Sequence, residues 1–216
     1  MKKALIVYGG WNGHDPKGVA ELFSEMLKEE NFEVKMSDSL DAFLEDLTCY
    51  DLIVPIWTMG KLSNQAENNV CAAVAAGTGI AGCHGGMCDA FRENTTWQFM
   101  TGSQWVAHPG DGNVTYTVNV VDSKNPTIDG IKDFEVTSEK YYIHVDPAVN
   151  VLATTNFFSK EEPYGANGEI TVPVVYTKLW GKGRVFYNSL GHTSEIFKNI
   201  PEAKELMRRG FLFATR

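Results

Sequence analysis

Thr78-Gly79-Ile80-Ala81-Gly82-Cys83-His84-Gly85-Gly86 is the stretch on which the fold turns. The run from Thr78 to Cys83 has the length of a buried strand. Beyond it, small residues bracket His84 in the spacing G-x-Z-x-G. That spacing suits an elbow, a sharp strand-to-helix turn that lifts its central side chain above a sheet. The central residue is histidine, where a hydrolase would carry serine or cysteine. Cys83 falls one place early, and strand alternation turns it the other way, into the packing. Covalent acyl transfer by an elbow thiol is therefore not expected. The same glycines also suit a plain tight connection between strand and helix, and on this segment alone both readings stand.

Working outward, the first ninety residues alternate apolar strands with amphipathic helices. Ala4 to Tyr8 reads as the first strand. Asp15 is an N-cap, Pro16 fits the first helical position, and Val19, Leu22, Phe23, Met26 and Leu27 follow at helical spacing. Phe32 to Met36 alternates as a second strand, and Ser39 to Leu47 reads as a short helix. Leu52 to Trp57 is a buried strand whose Pro55 belongs near its end or at an unpaired position. Ser63 caps a helix running to Ala76, and Gly77 stops it. Strands alternating with helices build a mostly parallel, doubly wound α/β sheet with helices on both faces.

The second half changes character. Val114 to Val121, Phe134 to Val136 and Val149 to Phe157 read as strands. Val172 to Trp180 pairs with Arg184 to Ser189 through the turn Gly181-Lys182-Gly183. A final helix starts near Pro201. No linker or repeat interrupts the chain, so residues 1–216 read as one domain carrying a partly antiparallel C-terminal extension.

The composition removes several function classes. Nineteen basic residues against twenty-seven acidic ones give a formal charge of −8. Such a chain is repelled by phosphate backbones and anionic lipid, so neither nucleic acid nor membrane is an expected partner. The apolar start at Ala4 stops at Gly9-Gly10, too soon for a secretory core segment. The Ala/Gly-rich stretch from Val70 to Cys83 lacks the continuous hydrophobicity of a membrane span. Cys49, Cys71, Cys83 and Cys88 form no CxxC pair, which suits reduced thiols in a cytoplasmic protein.

In open α/β sheets, ligands bind beyond the carboxyl ends of the parallel strands. Three histidines sit there: His14 after the first strand, His84 at the elbow and His192 after the late hairpin strand. The loop from Gly9 to Gly13 lacks both GxGxxG and the Walker ending, and Asp15 would repel phosphate, so no nucleotide is expected. No Ser/Thr-rich phosphate loop supports a flavin. His108 and His144 lie in aromatic-rich segments. Trp57, Trp105, Tyr141 and Tyr142 offer faces on which sugar rings can stack. Glu139 and Glu195 can orient histidines or exchange protons with them. For each of these residues an ordinary structural role competes: a solvated loop histidine, a core aromatic, a surface carboxylate.

In their order and spacing, several segments resemble the ThuA-like, or trehalose utilisation, family. These are Gly10 to Asp15, Trp57 to Gly60, Gly79 to Gly86, Gly102 to Pro109, Ser138 to Pro147 and Gly183 to His192. The resemblance covers nearly the whole chain. It implies the fold of the class I glutamine amidotransferases, a flavodoxin-like three-layer architecture. In that comparison His84 stands in place of the amidotransferase cysteine, and His192 with Glu195 falls where its His and Glu partners lie. Asn125-Pro126 departs from the His-Pro of many relatives.

The resemblance also implies carbohydrate utilisation, often beside oxidoreductases that produce 3-keto glycosides. A small carbohydrate is then the expected partner. His84, His192 and Glu139 would supply acid–base groups, and His14, Trp57, His108, Tyr141 and His144 would hold the substrate. Neutral imidazoles from His14, His84 and His192, with Glu139, can also make a zinc-like divalent metal site. The aromatic-rich loops offer a surface for a homodimer. The competing class is a non-catalytic sugar-binding or regulatory protein built on the same pocket.

Overall fold

The computed structural model describes residues 1–122, 124–157 and 164–216. The first half runs β1 (Lys2–Gly10), α1 (Pro16–Glu29), β2 (Phe32–Ser37), β3 (Leu52–Thr58), α2 (Asn64–Ala76) and β4 (Gly79–Cys83). After the elbow come α3 (Gly85–Cys88), α4 (Thr95–Thr101), β5 (Ser103–Ala107), β6 (Val114–Val120), β7 (Phe134–Ser138) and β8 (Tyr142–Val145). The chain finishes with β9 (Asn150–Phe157), β10 (Ile170–Trp180), β11 (Gly183–Asn188), α5 (Ser194–Asn199) and α6 (Pro201–Ala214).

Nine strands form one sheet in the order β2-β1-β3-β4-β11-β10-β9-β6-β7. From β2 to β11 every ladder is parallel, and the order 2-1-3-4 followed by a fifth strand is the flavodoxin-like one. From β11 to β7 every ladder is antiparallel. The parallel half is thus completed by a strand from the far end of the chain. The β10–β11 hairpin, closed by Gly181-Lys182 between the paired Trp180 and Gly183, delivers it.

Strand alternation sorts side chains between two cores. Ala4, Ile6, Val54 and Phe186 face α1, α5 and α6, where Phe23 meets Phe197 and Phe211 at ring-centroid separations of 5.1 and 5.0 Å. Each such fully buried phenylalanine contributes about 1.5–3 kcal/mol of burial free energy. Leu5, Val7, Ile53 and Tyr187 face α2 and α3 on the other side. Cys83 lies in the first core, on the face away from Tyr187 and Met87, as its position one place before the elbow requires.

Caps at Asp15 and Ser63 form as read, with Asp15 accepting from Gly18 N and Ser63 from Ala66 N. Pro55 pairs beside Val7 in β1, beyond the last β3–β4 partners Ile53 and Ile80. One local expectation is corrected. Ser39 to Leu47 is not one helix but two 3-10 turns, Leu40–Leu44 and Leu47–Cys49, each started by its own side-chain cap at Ser39 and Asp46. These competing local hydrogen bonds break the run before an α-helix propagates. Residues 103–107 and 142–145, for which the sequence sets no strand expectation, are β5 and β8, which form a separate two-stranded antiparallel sheet.

Candidate active site

Strand register places the loops of the site. Gly10 pairs with Thr58, so the loop after β1 lies against the end of β3. Asn188 pairs with Cys83, so the loop after β11 lies against the elbow. Each of these connections turns through positive φ: Asp15 at 48°, Met59 at 58°, His84 at 47° and Gly191 at 102°. Three of the four are not glycine, a concentration of backbone strain of the kind that gathers at functional sites. The elbow backbone is held by a hydrogen bond from His84 N to Asn188 O at 2.8 Å. Its glycines are needed for close approach. A Cβ at Gly86 would sit 2.9 Å from Ile56 Cα, and one at Gly85 would sit 2.6 Å from His14 Cε1.

Four side chains from four segments meet here. His84 Nε2 lies 3.0 Å from Glu139 Oε2, His192 Nδ1 lies 3.4 Å from the same oxygen and His14 Nε2 lies 3.7 Å from it. His84, His14 and Glu139 are buried, and His192 is the member on the solvent side. The far sides of two rings are also engaged. His84 Nδ1 donates to Ser189 O at 2.8 Å, and His14 Nδ1 is 3.0 Å from the Thr58 hydroxyl. Glu139 itself comes from the connection between β7 and β8, where Tyr116 donates its hydroxyl hydrogen bond to the Glu139 carbonyl.

The charge states follow from these surroundings. Burial disfavours the imidazolium and brings His84 down to about 4, against the opposing pull of its bond to Glu139. Burial would raise Glu139, but the imidazoles of His14, His192 and His84 beside it outweigh burial and hold the carboxyl far below the usual range. At neutral pH the pair is therefore a neutral imidazole facing a carboxylate. Burial pushes the Cys83 thiol well above its ordinary value, so the residue beside the elbow is no ready nucleophile.

The other expected site residues divide. Tyr141 is buried and stacks on His84 at a centroid separation of 3.8 Å, so it backs the imidazole. His108 stands behind Tyr141 at 6.4 Å and beside Trp105 at 5.8 Å. An apolar cleft of about 220 Å³ opens beside it, bordered by Ala107, Pro109, Tyr142 and Phe157. Trp57 is half-buried, its ring lying across the backbone of Gly9 and Gly60. His144 is exposed on β8 and is not among the groups that meet at Glu139. Glu195 is exposed and pairs with Lys198 at 2.8 Å; it does not partner His192. The carboxylate in that position is Glu139.

Trp11 and a second role of Asp15 add to the site. Trp11, 47 % exposed, meets His14 edge-on at 4.7 Å and is anchored by its backbone bond to Thr58 O. Its place in the loop between Gly10 and His14 was the available signal. Asp15 does more than cap α1: its second carboxylate oxygen accepts from the Ser194 hydroxyl at 2.6 Å, joining the loops that carry His14 and His192.

The fold and site define a doubly wound α/β protein with a histidine at the elbow and a three-histidine, one-carboxylate centre. The chain belongs to the ThuA family, described as trehalose utilisation, whose sequence profile matches residues 3–214. Solved structures agree in fold. A ThuA-like protein from Parabacteroides merdae superposes with a TM-score of 0.78 at 19% identity, covering 99% of this chain and 89% of that one. A cytoplasmic protein from Salmonella typhimurium LT2 matches with a TM-score of 0.68 at 15% identity, over 99% of this chain and 100% of that one. A cold-adapted β-galactosidase from Rahnella matches with a TM-score of 0.62 at 16% identity, over 99% of this chain but 30% of its own. No curated protein matches the chain. Among the described residues no helix is long and apolar enough to cross a membrane.

Proposed function

We propose that this protein is a carbohydrate-utilisation enzyme that acts on glycosides or disaccharides, 3-keto glycosides among them, by histidine–carboxylate acid–base chemistry. The observation that carries this reading is the meeting of three imidazoles at one carboxylate oxygen, 3.0–3.7 Å away, with no nucleophile at the elbow. Such a centre moves protons, and neither serine nor cysteine stands at the elbow to attack a carbonyl.

A 3-keto group acidifies the C2 proton of its sugar. A base takes that proton, and the C–H electron pair becomes a C1–C2 double bond after delocalising onto the C3 oxygen. The C1–O bond then breaks, and the departing glycosidic oxygen receives a proton. In this reading His192, on the solvent side of the cluster, exchanges a proton with the sugar. Glu139 holds the imidazoles in line and stabilises positive charge on them. His84, kept neutral by burial and held through Nδ1 at the Ser189 carbonyl, fixes the position of Glu139 rather than reaching the sugar. Trp11 offers the ring face at the mouth, and the four free cysteines suit a cytoplasmic setting.

The test incubates the protein with trehalose and 3-keto-trehalose and follows products by chromatography, beside His192→Ala and Glu139→Gln. Cleavage that falls by about 10²–10⁴-fold in both variants is the expected result. Tight binding of the sugars with no turnover would instead assign the site to a sugar-binding protein.

A further inference from the structure

We propose that His14, His84, His192 and Glu139 bind one divalent transition-metal ion of the zinc class. This deepens the reading above, since it concerns the same groups, but its test needs no sugar.

A carbonyl oxygen only accepts, so the 2.8 Å contact from His84 Nδ1 to Ser189 O puts a proton on Nδ1. In the neutral ring Nε2 then presents a lone pair to Glu139 Oε2, 3.0 Å away. An ionised carboxylate also presents only lone pairs. Two lone pairs held face to face in a buried site repel unless a positive centre joins them. His14 Nδ1 lies 3.0 Å from the Thr58 hydroxyl, which can accept its proton, and His14 Nε2 faces the same Glu139 oxygen at 3.7 Å. His192 aims Nδ1 at that oxygen from 3.4 Å, and this buried atom has no hydrogen-bond partner among the described residues. A proton joins one such pair at a time. A single cation among the four joins them all.

Size and donor chemistry agree. Zinc bonds of about 2.0–2.1 Å to nitrogen and oxygen give a tetrahedron edges of about 3.3–3.4 Å. The three nitrogen-to-oxygen edges are 3.0, 3.4 and 3.7 Å, and all four donor atoms lie within 4.8 Å of one another. The wider edges would have to shorten as the imidazoles turn toward a shared ion. Three nitrogens and one oxygen select a zinc-like ion over magnesium or calcium, which take oxygen donors. Ser189 O and Thr58 Oγ1 behind the rings supply the outer hydrogen bonds that orient metal-binding histidines.

The experiment uses the full chain purified without a metal-affinity tag. Metal content is measured by mass spectrometry, the protein is stripped with EDTA, and Zn²⁺ or Co²⁺ is titrated back against a competing chelator. One equivalent per chain is expected, with the visible absorption of tetrahedral Co²⁺. Zn²⁺ affinity should fall by at least about tenfold in His84→Ala and His192→Ala. The His192 side chain is partly exposed, so the melting curve of that metal-free variant separates lost ligation from lost folding. Stripped wild-type protein that binds Zn²⁺ no tighter than folded His192→Ala overturns the site. Metal binding without turnover of any sugar removes the enzymatic reading and leaves the site standing. Turnover by protein that does not bind Zn²⁺ removes the site and leaves the reading.

Discussion

His84 and Glu139, 55 residues apart in the chain, place Nε2 and Oε2 3.0 Å from each other in the interior. The opposite edge of His84 is committed to the Ser189 carbonyl, so Glu139 is the side chain that its Nε2 edge meets. Glu139→Gln removes the charge while nearly keeping the shape. Turnover of 3-keto-trehalose should fall by about 10²–10⁴-fold, while circular dichroism stays native. Activity within twofold of wild type would sink the acid–base role of Glu139.

Gly85 governs the placement of His14. A methyl group there would sit 2.6 Å from His14 Cε1 and 3.0 Å from the Tyr141 hydroxyl. Gly85→Ala should therefore push the imidazole out of the cluster and cost about 1–3 kcal/mol through overpacking. Urea denaturation measures the cost, and histidine NMR resonances report the displaced ring.

Trp11 should act on binding more than on chemistry. It touches His14 but not the carboxylate, and nearly half of its surface is open. Trp11→Ala should raise KM by about tenfold with kcat little changed, and Trp11→Phe should recover part of the loss. A fall in kcat alone, with KM unchanged, would contradict a ring-stacking role.

Thiol chemistry should be irrelevant to activity. Cys83 and Cys88 are buried, and burial holds both thiols well above their ordinary values, whereas Cys49 is exposed. Iodoacetamide should modify Cys49 first and leave turnover intact, and Cys83→Ala should remain active. Inactivation that tracks alkylation of Cys83 would restore the thiol mechanism.

Acid stability should depend on Glu205. Its bonds to Arg208 and then Arg209, opposed by partial burial, pull its carboxyl down to about 2, and Arg208 reaches on to Glu30 at the end of α1. A carboxylate with a lowered folded pKa contributes stability that is full above the unfolded value near 4.5 and is lost as pH falls towards 2. Because the side chain is a third exposed, the contribution is reduced by solvent to about 1 kcal/mol. Glu205→Gln should lower the urea midpoint at pH 7, and the difference from wild type should shrink as pH falls from 4.5 to 2.

Local order was legible in the residues themselves. Asp15 and Ser63 announce helix starts because short oxygen side chains satisfy free backbone N–H groups nearby. Alternating apolar residues announce the strands, and the carboxyl-end rule for parallel strands locates His14, His84 and His192 on one edge. What neighbours in sequence could not specify is which distant group faces which. Glu139 and Glu195 are equally plausible carboxylates on paper. The β7–β8 connection carries Glu139 inward, while Glu195 lies on the surface and pairs there with Lys198. Likewise β5 and β8 are strands only because each supplies the other's partner. Helix caps and strand alternation are short-range effects, written within a few residues. The meeting of three imidazoles at one carboxylate depends on sheet register and a long crossover, so only the packed chain decides it.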